Sequence, residues 1–361
     1  MVRLHILLTR DLKEALYWLD EARSLPPEFP ILHHVTNPCH SAFLQLWTGD
    51  IPGAERLARQ TLANIEELRM PPGIPTLEAL LVLTDVLIET ARLTEAEAAL
   101  ARAESLAGQL APPAYFVHVA IRRIELTAAV NGPAAGADAA ARARASLKDR
   151  RLGATITDAL TQEHAYWLLA EGRAIEATQL TATLRPGPPC SILEAKLDSI
   201  HHGGRSVARL LGGSDSWSAP ERLEADLIRD ALDGYPSLPQ IVEGAVGFSW
   251  TVVRQGQPLL RHLMSPSPHP SGPGATTVLD RVASFNAAFR PVDTMGPGGR
   301  LSERELTLLR LLPSHLSYAE IAAELFISVN TVKANLKALY RKLGATSRSE
   351  AVDRARARLL I

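Results

Sequence analysis

Tight turns recur through the first half of the chain at a spacing of about 40 residues, and that period constrains the fold more than any single residue does. The turns fall at Gly49-Asp50, Arg92-Leu93, Asn131-Gly132 and Gly172-Arg173. Each separates an apolar stretch from an Ala-rich amphipathic one, as in "TLEALLVLTDVLIETARLTEAEAALARAESLAG", and Pro-rich pieces ("MPPGIP", "APP", "RPGPP") stand between the units. One helix pair cannot bury its apolar face alone, so such units stack against their neighbours. In the second unit Ala96, Ala99, Leu100, Ala103, Leu106 and Ala107 recur at helical spacing, small enough for close crossing. The expected body is an all-α array of helical hairpins; an irregular helical domain is the alternative.

Regularity fades beyond Leu211. "SWSAPERLEADLIRDALDG" predicts a helix with Ser218 as N-cap, and "QIVEGAVGFSWTVVRQGQPLLRHL" closes the array. Pro, Ser and Gly then dominate "MSPSPHPSGPGATT" and "MGPGG", on either side of a short helix expected at 278–289. The boundaries expected are 1–263 for the repeat domain, 264–299 for a linker and 300–361 for a C-terminal domain.

Trp47, Tyr115, Phe116, Tyr166 and Trp167 lie on the first helices of successive hairpins, where they either fill the core between repeats or line a concave effector pocket. "HHVTNPCH" at 33–40 gathers three His and a Cys, but adjacent pairs converge poorly on one ion and the spacing fits no zinc pattern. His201-His202 ahead of two glycines reads as a helix end, where the dipole favours His. There is no nucleophile elbow or His-Glu-x-x-His motif, so neither an enzyme nor a cofactor is expected. Two cysteines are too few for a disulfide framework, and the N-terminal apolar run is too short for a signal peptide. No run approaches the length of a membrane span, so the expected location is the cytoplasm.

Charge is unevenly spread. The 361 residues carry a formal −1, yet residues 300–361 hold 11 Lys+Arg against 6 Asp+Glu, while the rest hold 27 against 33. From Leu325 to Ser349 there is no acid and there are five bases, Lys333, Lys337, Arg341, Lys342 and Arg348. A basic tail on an acidic body points to a polyanion as partner. Capping boxes at Ser302/Glu305, Ser317/Glu320 and Ser347/Glu350, with Ser328 as a further N-cap and Gly344 as a stop, predict four helices. Ile321, Ala322 and Leu325 on the second and Val332, Leu336, Leu339 and Leu343 on the third form a shared core, which is helix-turn-helix geometry. Asn330, Thr331, Lys333, Ala334, Lys337 and Arg341 then face outward. Lys333 and Lys337 can donate to guanine, and Ala334 can meet a thymine methyl. Ser328, Asn330, Thr331, Arg341, Lys342 and the helix N-terminus are placed for phosphate.

The landmarks Leu301-Ser302-x-Arg304-Glu305, Ile321-Ala322, Ile327-Ser328, Thr331-Val332-Lys333, Leu339-Tyr340-x-Lys342-Leu343-Gly344 and Arg348-x-Glu350-Ala351 closely resemble the LuxR-type helix-turn-helix family. The resemblance implies a four-helix domain acting on promoter DNA, base reading by Lys333, Ala334 and Lys337, and a homodimer through the last helix, about Ser347–Arg358. RNA polymerase is a further partner it implies. Asn335 replaces a frequent His, and Pro313-Ser314-His315 replaces the usual Ala-x-Gly turn. The repeat of the body resembles the tetratricopeptide-type superhelix, with dilute signature residues, and the body is similar to the sensor region of maltose-activator-like LuxR regulators. Their nucleotide-switch ATPase is not expected within this chain, where no phosphate loop occurs and none of the six lysines follows a glycine. The starting Met favours a naturally short member over a fragment. The function expected is a DNA-binding transcription regulator whose array senses a small molecule or a protein. The rivals are a protein-binding scaffold and a sigma-factor-like promoter-recognition protein, although no aromatic-rich melting segment accompanies the terminal helices.

Overall fold

In a computed structural model, the residues described are 12–26, 28, 31–110, 113–147, 153–213, 217–263, 272–289, 305, 308–309, 311–312, 316–325 and 327–357. They are helical throughout. Helix α1 (Leu12–Arg23) precedes four hairpins: α2 (Asn37–Thr48) with α3 (Ile51–Glu67), α4 (Ile74–Glu89) with α5 (Leu93–Leu110), α6 (Pro113–Asn131) with α7 (Pro133–Leu147), and α8 (Ala154–Ala170) with α9 (Ala174–Thr181). The first helices α2, α4, α6 and α8 stack side by side, each with its second helix outside. Thirteen of the sixteen residues of α4 are buried, because it has neighbours all round. Residues such as Ala54, Ala96, Ala103, Ala137 and Ala140 are fully buried, and they let the outer helices lie close.

All four turns expected from the sequence are present, and they share one backbone device. Gly49, Gly132 and Gly172 take positive φ (100°, 89° and 85°), and Ala91 does so at 59° in the second hairpin. The amides of Asp50, Arg92 and Arg173 each reach back five residues, to the carbonyls of Gln45, Leu87 and Leu168, at 2.8 Å in all three. That bond satisfies carbonyls left open at a helix end, and it favours glycine because a Cβ is strained at positive φ.

Beyond the hairpins come α10 (Pro188–His202), a single turn at Val207–Leu210, α11 (Ala219–Leu232), α12 (Leu238–Gly244), α13 (Ser249–Val253), α14 (Gln257–Leu263) and α15 (Pro273–Phe289). Ser218 caps α11 and forms its capping box with Glu221. From α11 onward the chain curls back across the inner helices: α11 meets α2, α13 lies on α4, and α15 lies on α6. The helix expected within the linker is therefore longer than 278–289, and it belongs to the array. Ala275, Val278, Val282 and Phe285 join the main core. Of the two low-complexity segments on either side of it, residues 264–271 of the first and all of the second lie outside the described residues.

This return path decides the fate of the aromatic residues. Trp167 is fully buried, Tyr166 and Tyr115 nearly so, and Trp47 and Phe116 partly so. Trp250 of α13 stacks against Trp167 at 5.7 Å and against Phe285 at 5.2 Å. Core filling, rather than an open pocket, is what these residues do. The 33–40 stretch is likewise structural. It forms a π-helical turn, Leu32–Thr36, leading into α2. His33 bonds the carbonyl of Pro26, the carbonyl of His34 accepts from Asn64, and Cys39 is buried beside Glu78. Among the described residues no group of three or more His, Cys, Asp or Glu is placed to hold a metal ion, and no helix is long and apolar enough to cross a membrane. His201 and His202 end α10 ahead of Gly203.

Candidate nucleic-acid interface

The C-terminal helices build their own small core. Helices α16 (Tyr318–Glu324), α17 (Val329–Leu343) and α18 (Arg348–Ala357) enclose Ile321, Ala322, Val332, Leu336, Leu339, Leu343, Ala351 and Val352 together with Leu308, Leu309 and Leu312. Leu325 is half-buried against that core. Every scaffold residue expected from the sequence thus faces inward. Ser302 and Pro313–His315 lie outside the described residues.

Capping fixes the start of each helix. Ser317 and Glu320 form the reciprocal box on α16, with the Ser317 amide donating to Glu320 Oε2 at 2.7 Å and the Glu320 amide to Ser317 Oγ at 3.3 Å. Hydrogen bonds from the Ser317 amide and hydroxyl hold the Glu320 carboxyl below its ordinary value. Ser328 Oγ accepts the Thr331 amide at 3.1 Å, and Gly344 ends α17 at φ 73°. The third box is only half as expected. Ser347 Oγ accepts the Glu350 amide, but the Glu350 carboxylate turns to the amide and hydroxyl of Thr346 at 2.7 and 2.6 Å. The turn between α16 and α17 is closed by the Ile327 amide on the Ala322 carbonyl at 3.0 Å.

On the outer face of α17, Thr331, Lys333, Ala334, Lys337 and Arg341 are exposed, and Ser328 is exposed at its start. Asn330 lies in the first turn, with its side chain outside the described residues. With Tyr318, Leu336, Tyr340 and Ala345, the three cations line an open cleft of about 420 Å³. Burial pushes the Tyr340 phenol well above its usual range, so it stays neutral at physiological pH. Tyr318 and Tyr340 escape a sequence reading because neither is charged and they come from different helices.

The five bases of the acid-free window divide into two groups. Lys333, Lys337 and Arg341 project outward. Lys342, expected on phosphate, instead donates to Glu305 Oε2 at 2.7 Å, with side chains only 19% and 9% exposed. Arg348 is turned inward as well. Its Nε and Nη1 donate to the carbonyls of Leu312 and Leu316 at 3.0 and 2.7 Å, and this ties α18 to the chain just ahead of α16. Both are architectural cations in a basic stretch.

A short turn between two packed helices, with a capped and acid-free cationic face on the second, defines a helix-turn-helix DNA-binding domain. Residues 300–355 match the family described as bacterial regulatory proteins, luxR family. The chain therefore carries a luxR-type domain at its C-terminal end, behind an all-helical repeat array.

Relatives agree. The chain is similar to the HTH-type transcriptional regulator AlkS of Alcanivorax borkumensis, with 30% identity over 149 residues, 41% of this chain and 16% of that protein. It is also similar to the transcriptional regulatory protein YdfI of Bacillus subtilis, 43% over 53 residues, covering 15% and 25% of the two chains. The Fimbriae Z protein of Escherichia coli is 48% identical over 56 residues, covering 16% and 27%. The chain thus spans between about a sixth and about a quarter of the length of these curated relatives. No solved structure matches it.

Proposed function

We propose that this chain is a transcription regulator of the luxR type, in which α17 enters the DNA major groove and the repeat array receives the controlling signal. The observation that carries the reading is the outer face of α17: three exposed cations and no acid, on a helix capped at both ends, within a domain similar to known regulators. Lys333 and Lys337 lie one helical turn apart and donate to guanine O6 and N7, with Ala334 between them against a thymine methyl. Ser328, Asn330, Thr331, Arg341 and the α17 N-terminus hold phosphate. Lys342, paired with Glu305, is left out of that set.

Two copies pair through α18 and read half-sites one helical turn apart. In this structure α18 lies against α10 of the array, so pairing requires that contact to open. A signal received by a maltose-activator-like array, whether a small molecule or a protein, shifts the population of chains free to pair. The process belongs to the cytoplasm, with promoter DNA and RNA polymerase as partners.

The test is selection of bound sequences from a random DNA pool with the full chain, followed by a salt titration. A dimer touching roughly 6–10 phosphates loses about 10³–10⁵ in affinity between 50 and 200 mM salt. A flat salt response would sink the reading.

A further inference from the structure

The interior of the array, beneath the returning segment, holds a cluster of charges that DNA binding does not use. Arg254 follows α13 and points into the stack of inner helices. Its Nη1 lies 2.8 Å from Glu125 Oε1 on α6, its Nη2 3.5 Å from Glu163 Oε1 on α8, and its Nε 3.7 Å from Glu224 Oε1 on α11. The Tyr166 ring lies 3.9 Å from the guanidinium carbon, and the Tyr166 hydroxyl donates to the Arg254 carbonyl at 2.8 Å. Lys196 of α10 is also 3.9 Å from that ring, and 3.6 Å from Glu224.

Two of the acidic side chains are themselves held by indole donors. Trp167 Nε1 donates to Glu163 at 2.8 Å, and Trp250 Nε1 donates to Glu125. These bonds fix two of the three carboxylates in place. Each carboxylate side chain is only about a tenth exposed, and Arg254 is 17% exposed. A static core is made more economically from apolar side chains, because desolvating charges offsets most of their attraction. Three acidic side chains and an aromatic face converge on one planar cation from three different helices, the Glu125 contact being the closest, and that convergence has the layout of a recognition site.

The occupant also differs from the walls. The walls are helices of 14 to 19 residues, whereas α13 and α14 have five and seven. Arg254 sits in the break between these two short helices. The same return segment continues into α15, the last described helix before the C-terminal domain.

We propose that the concave face carries a guanidinium-binding seat, built by Glu125, Glu163, Glu224 and Tyr166, whose resident ligand is the chain's own Arg254 and which accepts a guanidinium supplied from outside when Arg254 is removed. The ligand class is an arginine-bearing polypeptide segment, held cis in this structure. The proposal stands on the array alone, whatever the C-terminal domain binds.

Chemical rescue tests it. The full chain with Arg254→Ala is melted with and without about 10 mM n-propylguanidinium, with n-butylammonium as the control cation. The expected result is a melting midpoint below that of wild type, raised by at least about 2 °C by the guanidinium and by less than half as much by the ammonium. Wild type, its seat filled, gains nothing from either. Equal effects of the two cations, no effect of either, or the same rise in wild type would overturn the proposal. Should Arg254→Ala fail to fold, Arg254→Lys decides, since it keeps the charge and loses the planar fork. It is expected to melt clearly below wild type, and a midpoint equal to wild type would overturn the seat.

Discussion

The array and the C-terminal domain use the same charged residues for opposite purposes. Inside the array, Arg254 is enclosed by three carboxylates, and Arg122 meets Asp85 at 2.5 Å across α6 and α4. On α17, Lys333, Lys337 and Arg341 stand exposed with no acid in the surrounding window. A cation enclosed by acids is held within the chain, while a row of exposed cations with acids kept away is an invitation to a polyanion. Composition does not separate the two cases. Burial and partners do, and Lys342 and Arg348 show it within the basic window itself.

The largest effect that can break this comparison is on DNA. Lys333→Ala with Lys337→Ala is expected to cost about 1–3 kcal/mol per lysine in binding, or roughly 10²–10⁴ overall, while the melting midpoint hardly moves. Binding by fluorescence anisotropy and melting by calorimetry check both halves. Lys342→Ala should do the reverse. It removes the cation beside the buried Glu305 carboxylate and lowers the stability of the C-terminal domain by about 1–3 kcal/mol, with specific base preference intact. If Lys342→Ala instead matched the double variant on DNA, with stability unchanged, the division between the two groups of cations would be wrong.

Helix packing supplies the next test. A Cβ on Gly136 of α7 would come within 2.8 Å of Ala128 and 3.0 Å of the Trp167 ring. Gly136→Val is therefore expected to destabilise the array by about 1–3 kcal/mol through overpacking, measured by urea unfolding. At the turns the sign reverses: Ala91 has the backbone of Gly49, Gly132 and Gly172 but carries a Cβ. Ala91→Gly should stabilise the array by about 0.5–1 kcal/mol, and a loss of stability would mean the shared turn geometry has been misjudged.

A pH effect separates the regions as well. Burial raises the Glu89 carboxyl from 4.5 to about 8, the bonds from Thr251 and the charge of Arg254 working against the shift and the neighbouring Glu125 adding to it. The folded chain then keeps a proton that the unfolded chain has lost, so stability is full below about 4.5 and declines as pH rises toward 8. Glu89→Gln should flatten that decline over the same interval. A decline of unchanged slope in the variant would assign it to another group.

How much of this was legible in the sequence differs by region. The hairpins were legible because Gly49, Gly132 and Gly172 punctuate them locally. The helix-turn-helix core was legible because Val332, Leu336, Leu339 and Leu343 keep helical period. The filling of the concave face was not, since Trp250 meets Glu125 across 125 positions of chain and no local pattern records such a pairing. The inward turns of Lys342, expected on phosphate, and of Arg348, for which the sequence suggests no contact, are hidden for a related reason. Their partners, Glu305 and the carbonyls of Leu312 and Leu316, sit at the far side of the domain, and a period of 3.6 residues does not say which way a long side chain bends.

The most direct measurement of the central claim is selection from a random DNA pool at near-physiological salt, with the full chain and its Lys333→Ala/Lys337→Ala form in parallel. The account predicts an enriched inverted repeat with half-sites one helical turn apart, recovered by the full chain or, where the α10–α18 contact stays closed, by residues 300–361 alone, and lost in the double variant. An enrichment that survives in the double variant, or none from the full chain or from residues 300–361 alone, would contradict it.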